Sequence, residues 1–294
     1  MSRAERPRGG VEQPRGPGVE TGPVTVEAHA KLTLSLRVTG RRPDGYHLLD
    51  AEMVTLDLAD TLTFAPGTGL TVVDEVAGGT GAGGLDPGPA NLVARALDLA
   101  GRQAAVRLVK RIPLGAGLGG GSADAAAVLR WSGWRPGPGS WARAAALGAD
   151  VPFCLAGGRA RVLGIGEAVE ELPYLERHFV LLLTPLAVET GAAYRAYDRL
   201  ASAGARSATE EGGNDLEQAA LDLVPRLAAW RDRFGALTGR RPRLAGSGAA
   251  WFVEGTPEEL GLGARTHLEL GDGGPADRGR LLAVTTTPPA APVP

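Results

Sequence analysis

Residues 110–124 read Lys-Arg-Ile-Pro-Leu-Gly-Ala-Gly-Leu-Gly-Gly-Gly-Ser-Ala-Asp. Glycine stands at Gly115, Gly117, Gly119, Gly120 and Gly121. Ahead of them, Ala105 to Val109 has the character of a short strand. Behind them, the alanine-rich run Ser122 to Trp131 is helical, with Ser122 where an N-cap belongs. Glycine lets backbone N–H groups approach an anion without a Cβ in the way, and a helix start adds free donors and the positive end of a dipole. A polyphosphate is the natural ligand of such a turn. The competing reading, a merely flexible loop, is weakened by the strand and helix that frame it.

Other phosphate-binding patterns fit less well. The Walker pattern needs a Lys directly after the glycines, and none follows. Gly115-x-Gly117-x-x-Gly120 matches a dinucleotide fingerprint, but that site wants an acidic residue about 20 positions on to hold a ribose. No Asp or Glu occurs between Asp124 and Asp150. A protein-kinase reading lacks the H-R-D and D-F-G sequences.

Working outward, Val24 to Val26, Leu32 to Leu36, Val54 to Leu58, Leu62 to Phe64 and Leu70 to Val73 alternate apolar and polar residues as half-buried strands do. Helices are expected over Asn91–Ala100, Trp141–Leu147, Thr190–Leu200, Leu216–Trp230 and Pro257–His267, and strands over Arg159–Leu163, Val180–Leu183, Ala250–Val253 and Leu281–Val284. Strands and helices come in groups, which favours α+β over a doubly wound sheet. The first 23 residues mix Arg, Gly, Pro and Glu without apolar periodicity and read as a disordered tail. Thr285 to Pro294 reads as a loose end. A boundary near Pro173 divides the remainder into 24–172 and 173–286, with a C-terminal tail at 287–294.

The chain has 294 residues, 33 acidic against 31 basic, for a formal charge of −2. That balance argues against a nucleic-acid surface. No apolar run approaches the ~20 residues of a membrane span. Cys154 is alone, which excludes an intramolecular disulfide and fits a reducing compartment; with no targeting signal recognised, the cytoplasm is expected. His29, His178, His267 and Cys154 have no partners at metal-ligand spacing, so no protein-held metal is expected. Among the 31 basic residues only Lys31 and Lys110 are lysine, and both fall inside motifs, where a compact ammonium differs from a guanidinium.

The string Pro113-x-Gly115-Ala116-Gly117-Leu118-Gly119-Gly120-Gly121-Ser122-x-Asp124-Ala125-Ala126 resembles the phosphate loop of the GHMP small-molecule kinases. Ala28-His29-Ala30-Lys31-Leu32, with Gly45-Tyr46-His47, is similar to the branch that phosphorylates 4-diphosphocytidyl-2-C-methyl-D-erythritol in the non-mevalonate isoprenoid pathway. Asn91-Leu92-Val93, Leu147 to Phe153, Gly213-Asn214-Asp215-Leu216-Glu217 and Ala245-Gly246-Ser247-Gly248 extend the likeness from about Val24 to Val253. The resemblance implies a two-domain α+β fold, with an N-terminal domain like ribosomal protein S5 and a C-terminal ferredoxin-like α/β sandwich. It also implies an ATP-dependent kinase with its site in the cleft.

Asp150 read alone is a candidate carboxylate or a turn Asp bonded to its own backbone, and Lys31 an ordinary lysine on a strand. The resemblance makes them the catalytic pair: Asp150 the base, Lys31 keeping it ionised and steering the phosphoryl group. It further implies that ATP meets Lys110, Pro113, Gly115, Ala116, Gly117, Leu118, Gly119, Gly120, Gly121, Ser122 and Ala123, and that the alcohol meets Thr33, Tyr46, His47, Asp150, Thr190, Gly246 and Ser247. Tyr46 stands for the aromatic that stacks on the cytosine and His47 for its hydrogen-bonding partner; by themselves they read as packing and surface residues. Thr190 serves equally as a helix N-cap. Mg²⁺ is carried with ATP, with Ser122 and Asp124 as residues able to face it. Three positions depart from the pattern: Thr33 where Asn is usual, Ala123 for a second Ser, and Ala249 where Pro is common. The implied partners are the two small-molecule substrates alone, with no nucleic acid or membrane, on a monomer or weak homodimer. The rival readings are a superfamily enzyme for mevalonate, homoserine or a sugar, and a nucleotide-binding paralogue without turnover.

Overall fold

The computed structural model describes residues 22–76, 86–204, 213–271, 274 and 277–290. Most of the expected N-terminal tail, part of the Gly- and Pro-rich stretch 67–89, and the last four residues lie outside them.

Six strands build the first sheet: β1 (Val24–Arg41), β2 (His47–Ala65), β3 (Gly69–Asp74), β4 (Ala105–Lys110), β5 (Arg159–Gly164) and β6 (Ala168–Leu172). The nineteen-residue β2 is its spine. β1 runs antiparallel along one edge of β2, while β5 and β4 share the other edge, β5 opposite Leu49–Val54 and β4 opposite Thr61–Ala65. β3 adds parallel to β4 and β6 antiparallel to β5. Four helices accompany this sheet: α1 (Leu92–Ala100), α2 (Gly120–Trp131), α3 (Pro138–Ala144) and α4 (Val151–Ala156). α2 is so rich in alanine because it is buried from Ala123 to Leu129, packed closely against β1 and α4.

The second sheet has the order β10-β11-β7-β9-β8 and is antiparallel throughout. Its strands are β7 (His178–Leu183), β8 (Arg243–Leu244), β9 (Trp251–Glu254), β10 (His267–Glu269) and β11 (Arg278–Thr285), accompanied by α5 (Thr190–Ser202), α6 (Glu217–Leu223) and α7 (Arg226–Thr238). The two-residue period of a strand divides its side chains. Phe179, Leu181, Leu183, Phe252 and Val284 join the core of the first sheet, while Val180, Leu182, Trp251, Val253 and Leu281 pack with Leu227, Trp230 and Phe234 of α7. Each such side chain contributes about 1.5–3 kcal/mol when fully buried. One core cluster therefore draws on both halves of the chain, and a second is made of residues of the second half.

Several expectations change. Leu216–Trp230 is not one helix: Pro225 interrupts it, because a proline ring cannot sit inside a continuing helix, and α6 and α7 result. Pro257–His267 is a set of turns, with Gly261 and Gly263 at positive φ, and His267 begins β10. The end expected to be loose is tied down as far as it is described: Thr286 N–H donates to Arg177 O at 3.0 Å and Thr287 N–H to Thr55 O at 2.9 Å.

Candidate active site

β1 does not pair evenly with β2. The register jumps between His29 and Lys31 and again between Thr33 and Ser35. Irregularities of this kind re-aim side chains and free backbone groups. Here the freed Lys31 N–H donates to Leu118 O of the glycine loop at 2.9 Å. The Lys31 stem then crosses Gly119, where a Cβ would lie 2.7 Å from Lys31 Cγ. Gly119, at φ +70°, supplies both the turn and the clearance that any side chain would remove. The buried ammonium donates to Thr33 Oγ1 at 3.1 Å and meets Asp150 Oδ2 at 3.2 Å.

Asp150 immediately precedes α4, yet its side chain makes no capping bond. The reading as a turn Asp bonded to its own backbone is therefore set aside: the carboxylate, about a third exposed, turns to Lys31. Its charge is felt around it. Burial, with Asp150 adding, pushes the Cys154 thiol up to about 12, so the thiol stays protonated. Burial and the same carboxylate hold the Tyr194 phenol well above its ordinary value.

The glycine loop is held from two sides. Beneath it, Asp60 of β2 accepts from Arg111 N–H at 2.5 Å and Ile112 N–H at 2.8 Å. Lys110 Nζ sits between Asp60 and Asp124, 2.7 Å from the latter, all three groups buried. Asp60 accepts from three donors. Asp124 has the ammonium alone, its Oδ1 finds no partner, and burial raises its pKa to about 7. Above the loop, a Cβ at Gly117 would overlap Ala245 O, and Ala249 N–H donates to Gly115 O at 3.3 Å. Two loops thus meet backbone to backbone, with Gly246 beside the Lys31 ammonium. A cavity of about 290 Å³ opens next to this turn, lined by Asn91, Leu92, Leu108, Leu114, Gly121 and the Lys110–Asp124 pair. The first amides of α2 have no helical partner, so the donor set fits a polyphosphate.

Around the second substrate's expected position, Tyr46 is 62% exposed in the turn before β2. It borders a larger cavity, about 590 Å³, that reaches Gly148 and Ala149 beside Asp150 and includes Arg42 and Arg95. His47 packs against α5. Its ring stacks on Tyr194 with centroids 4.7 Å apart, and Nε2 lies 2.7 Å from Asp198 Oδ1. Thr190 Oγ1 and Ser247 Oγ are 2.9 Å apart, bringing two expected substrate contacts together across different elements.

Two expected helix caps need correction, and three residues expected near ATP or its ion are already engaged within the protein. Ser122 is not the N-cap of α2: the helix starts at Gly120 with Gly119 as its cap, because positive φ at Gly119 lets the chain turn earlier. Ala123 has a side chain 1% exposed, and its N–H donates to Gly119 O. The Lys110 ammonium is paired with two carboxylates and Asp124 with that ammonium, all of them buried, and the pair lines the cavity beside the loop. Glu189, not Thr190, caps α5, accepting from Gly191 N–H and Ala192 N–H at 3.0 Å each.

The sequence did not single out Asp60, Tyr194 or Asp198, and offered Asn214 only as part of a motif, without a role. Asn214 Nδ2 donates to Leu244 O at 3.1 Å and Gly246 O at 2.6 Å, and the neighbouring Gly213 and Asp215 backbones bond Leu36 of β1. A charge inside an apolar strand was the available signal for Asp60. The others act through partners remote in sequence.

The family model described as "GHMP kinases N terminal domain" matches residues 90–158. The chain is 42% identical over 240 residues to the 4-diphosphocytidyl-2-C-methyl-D-erythritol kinase of Paracoccus denitrificans (strain Pd 1222), covering 76% of this chain and 84% of that one. It is 41% identical to the kinase of the same name from Novosphingobium aromaticivorans, over 80% of this chain and 86% of that one. A crystal structure of 4-(cytidine 5'-diphospho)-2C-methyl-D-erythritol kinase superposes with a TM-score of 0.62 at 32% identity, covering 89% and 98% of the two chains. The mevalonate kinase of Methanococcus jannaschii, at 12% identity and a TM-score of 0.55 over 93% of this chain and 100% of that one, shares the fold alone. On this relatedness, and on the glycine loop that the family model spans, the chain belongs to the 4-diphosphocytidyl-2-C-methyl-D-erythritol kinase family of the GHMP kinases.

Proposed function

We propose that the chain transfers the γ-phosphoryl group of ATP to the 2-hydroxyl of 4-diphosphocytidyl-2-C-methyl-D-erythritol, in the supply of isoprenoid precursors. The observation that carries this is the Lys31–Asp150 pair, 3.2 Å apart, with the lysine stem lying on the glycine loop. The hydroxyl oxygen forms its bond to the γ-phosphorus as the bond to the bridging oxygen of ADP breaks. The hydroxyl proton passes to the Asp150 carboxylate. Positioning and charge do most of the work in such a transfer, so Lys31 serves by offsetting charge on the phosphoryl oxygens. Amides from Gly115 to Ser122 hold the triphosphate.

Magnesium enters with the nucleotide as substrate, held chiefly by phosphate oxygens; among the described residues no group of three or more His, Cys, Asp or Glu side chains is assembled for an ion. Tyr46 and His47 take the cytosine, and Thr33, Thr190, Gly246 and Ser247 border the alcohol. We divide the chain functionally near residue 173, and place it in the cytoplasm as a monomer or weak homodimer; among the described residues no helix is long and apolar enough to cross a membrane.

An assay of ADP release with the cytidine substrate, mevalonate and homoserine tests the reading. Release with the cytidine compound, and little with the others, is expected. Binding of ATP and the cytidine compound without ADP release would instead identify a paralogue without turnover, and faster release with mevalonate or homoserine a different alcohol.

A further inference from the structure

The neighbourhood of His47 holds more than a ring for stacking. Tyr194 lies flat against one face of it, with the planes 23° apart, and Tyr197 meets it edge-on at 6.2 Å. Asp198, one turn beyond Tyr194 on α5, accepts at Nε2, and Arg41 of β1 approaches the second oxygen of the same carboxylate at 3.3 Å. These are the charged and titratable groups packed on the ring. A carboxylate can only accept, so in the neutral imidazole Nε2 must carry the hydrogen and Nδ1 the lone pair. Among the described residues Nδ1 has no hydrogen-bond partner, and the His47 side chain keeps 11% of its surface exposed. Nδ1 is thus the ring nitrogen left for a ligand.

We propose that Asp198 is a specificity-determining positioning residue, which fixes His47 with Nδ1 as an acceptor and so selects a base bearing an exocyclic amine, as cytosine does, over one bearing a carbonyl, as uracil does. The inference rests on the reading of the substrate as a cytidine diphosphate-linked alcohol. An amine donates into the Nδ1 lone pair. A carbonyl oxygen would face that lone pair with one of its own and leave two acceptors unmatched. A plain structural tie between α5 and the β1–β2 turn would hold the ring equally well but would be indifferent to which nitrogen is protonated.

Asp198→Asn separates these roles, because an amide can either accept from Nε2–H or donate to a bare Nε2. The chain has 4 histidines, so ¹⁵N spectra assigned with a His47→Asn control report the tautomer directly. They are recorded near pH 8.5, above the range in which histidines usually change charge. The wild type should show the Nε2–H form and Asp198→Asn a mixture. In parallel, kcat/KM is measured on the cytidine substrate and its uridine counterpart. The preference for cytidine should fall roughly ten-fold in Asp198→Asn, through KM rather than kcat, and Asp198→Glu should recover part of it. An Nδ1–H tautomer in the wild type, or a preference unmoved in a folded Asp198→Asn, overturns the role of Asp198. A wild type inactive on both nucleotides overturns the substrate reading beneath it.

Discussion

Lys31 and Lys110 are the two lysines in a chain that otherwise uses arginine, and both are buried against carboxylates. Each space admits a compact ammonium and would crowd a planar guanidinium. Lys31→Arg should therefore lower kcat by about ten- to a hundred-fold through misplacement, and Asp150→Asn should lower it by about 10²–10⁴. ATP affinity, read by calorimetry, should be largely kept in Asp150→Asn. Full turnover there would remove the carboxylate from the chemistry.

The second lysine has a pH consequence. Asp124 is raised from 3.8 to about 7 in the folded chain, so between those values the folded state holds a proton that the unfolded state has released. Its stabilising contribution is present at low pH and is lost as pH rises through about 7. Unfolding free energy should thus fall less between about pH 5 and pH 8 in Asp124→Asn than in the wild type, as urea titrations at the two pH values would show. Lys110, raised from 10.5, acts only at the alkaline end. Both lysines were visible in the sequence as rarities. That Lys110 binds two carboxylates was not, because Asp60 lies on another strand.

At the level of elements, strand and loop geometry cooperate. The irregular pairing of β1 releases the Lys31 N–H to the loop, and the loop in turn leaves no room at Gly117. Gly117→Ala should cost at least about 2 kcal/mol, from positive φ and from overlap with Ala245 O, and should raise KM for ATP. Gly133 has positive φ but open space, so Gly133→Ala measures the backbone cost alone; equal losses in denaturant titrations would refute the packing argument. The glycines, the flanking strand and the helix were all legible from residues 105–131. The helix start was not, since a serine two residues on is the stronger local signal and the turn at Gly119 depends on Lys31. The break at Pro225 was legible in principle, but the apolar spacing of Leu216 to Trp230 runs across it. What hid Tyr194 and Asp198 is that an amphipathic helix such as α5 reads the same whichever ring it packs on.

For the whole molecule, length and the family resemblance read as two domains divided near Pro173, and strands β1–β6 and β7–β11 form two sheets. Period-two patterning in β7, β9 and β11 does not reveal that one face of the second sheet completes the core of the first. That shared core, with Asn214 bridging the loop at Gly246 and its backbone neighbours bonding β1, should make unfolding a single cooperative event. Tryptophan fluorescence, to which Trp131, Trp134 and Trp141 of the first half and Trp230 and Trp251 of the second contribute, and far-ultraviolet dichroism should trace coincident curves, with equal calorimetric and van't Hoff enthalpies. Two separate transitions would show that the halves fold independently.

The abutment of Gly117 against Ala245 and Gly248 bears on how substrates arrive. Main chain pressed on main chain has no rotamer with which to yield, so the two halves cannot part like jaws without rupturing that seam. The cavity beside α1 and the cavity beside Tyr46 are lined by different residues and open separately. On the proposed function, saturation by one substrate should leave the entry of the other unhindered, as initial rates with both varied would show.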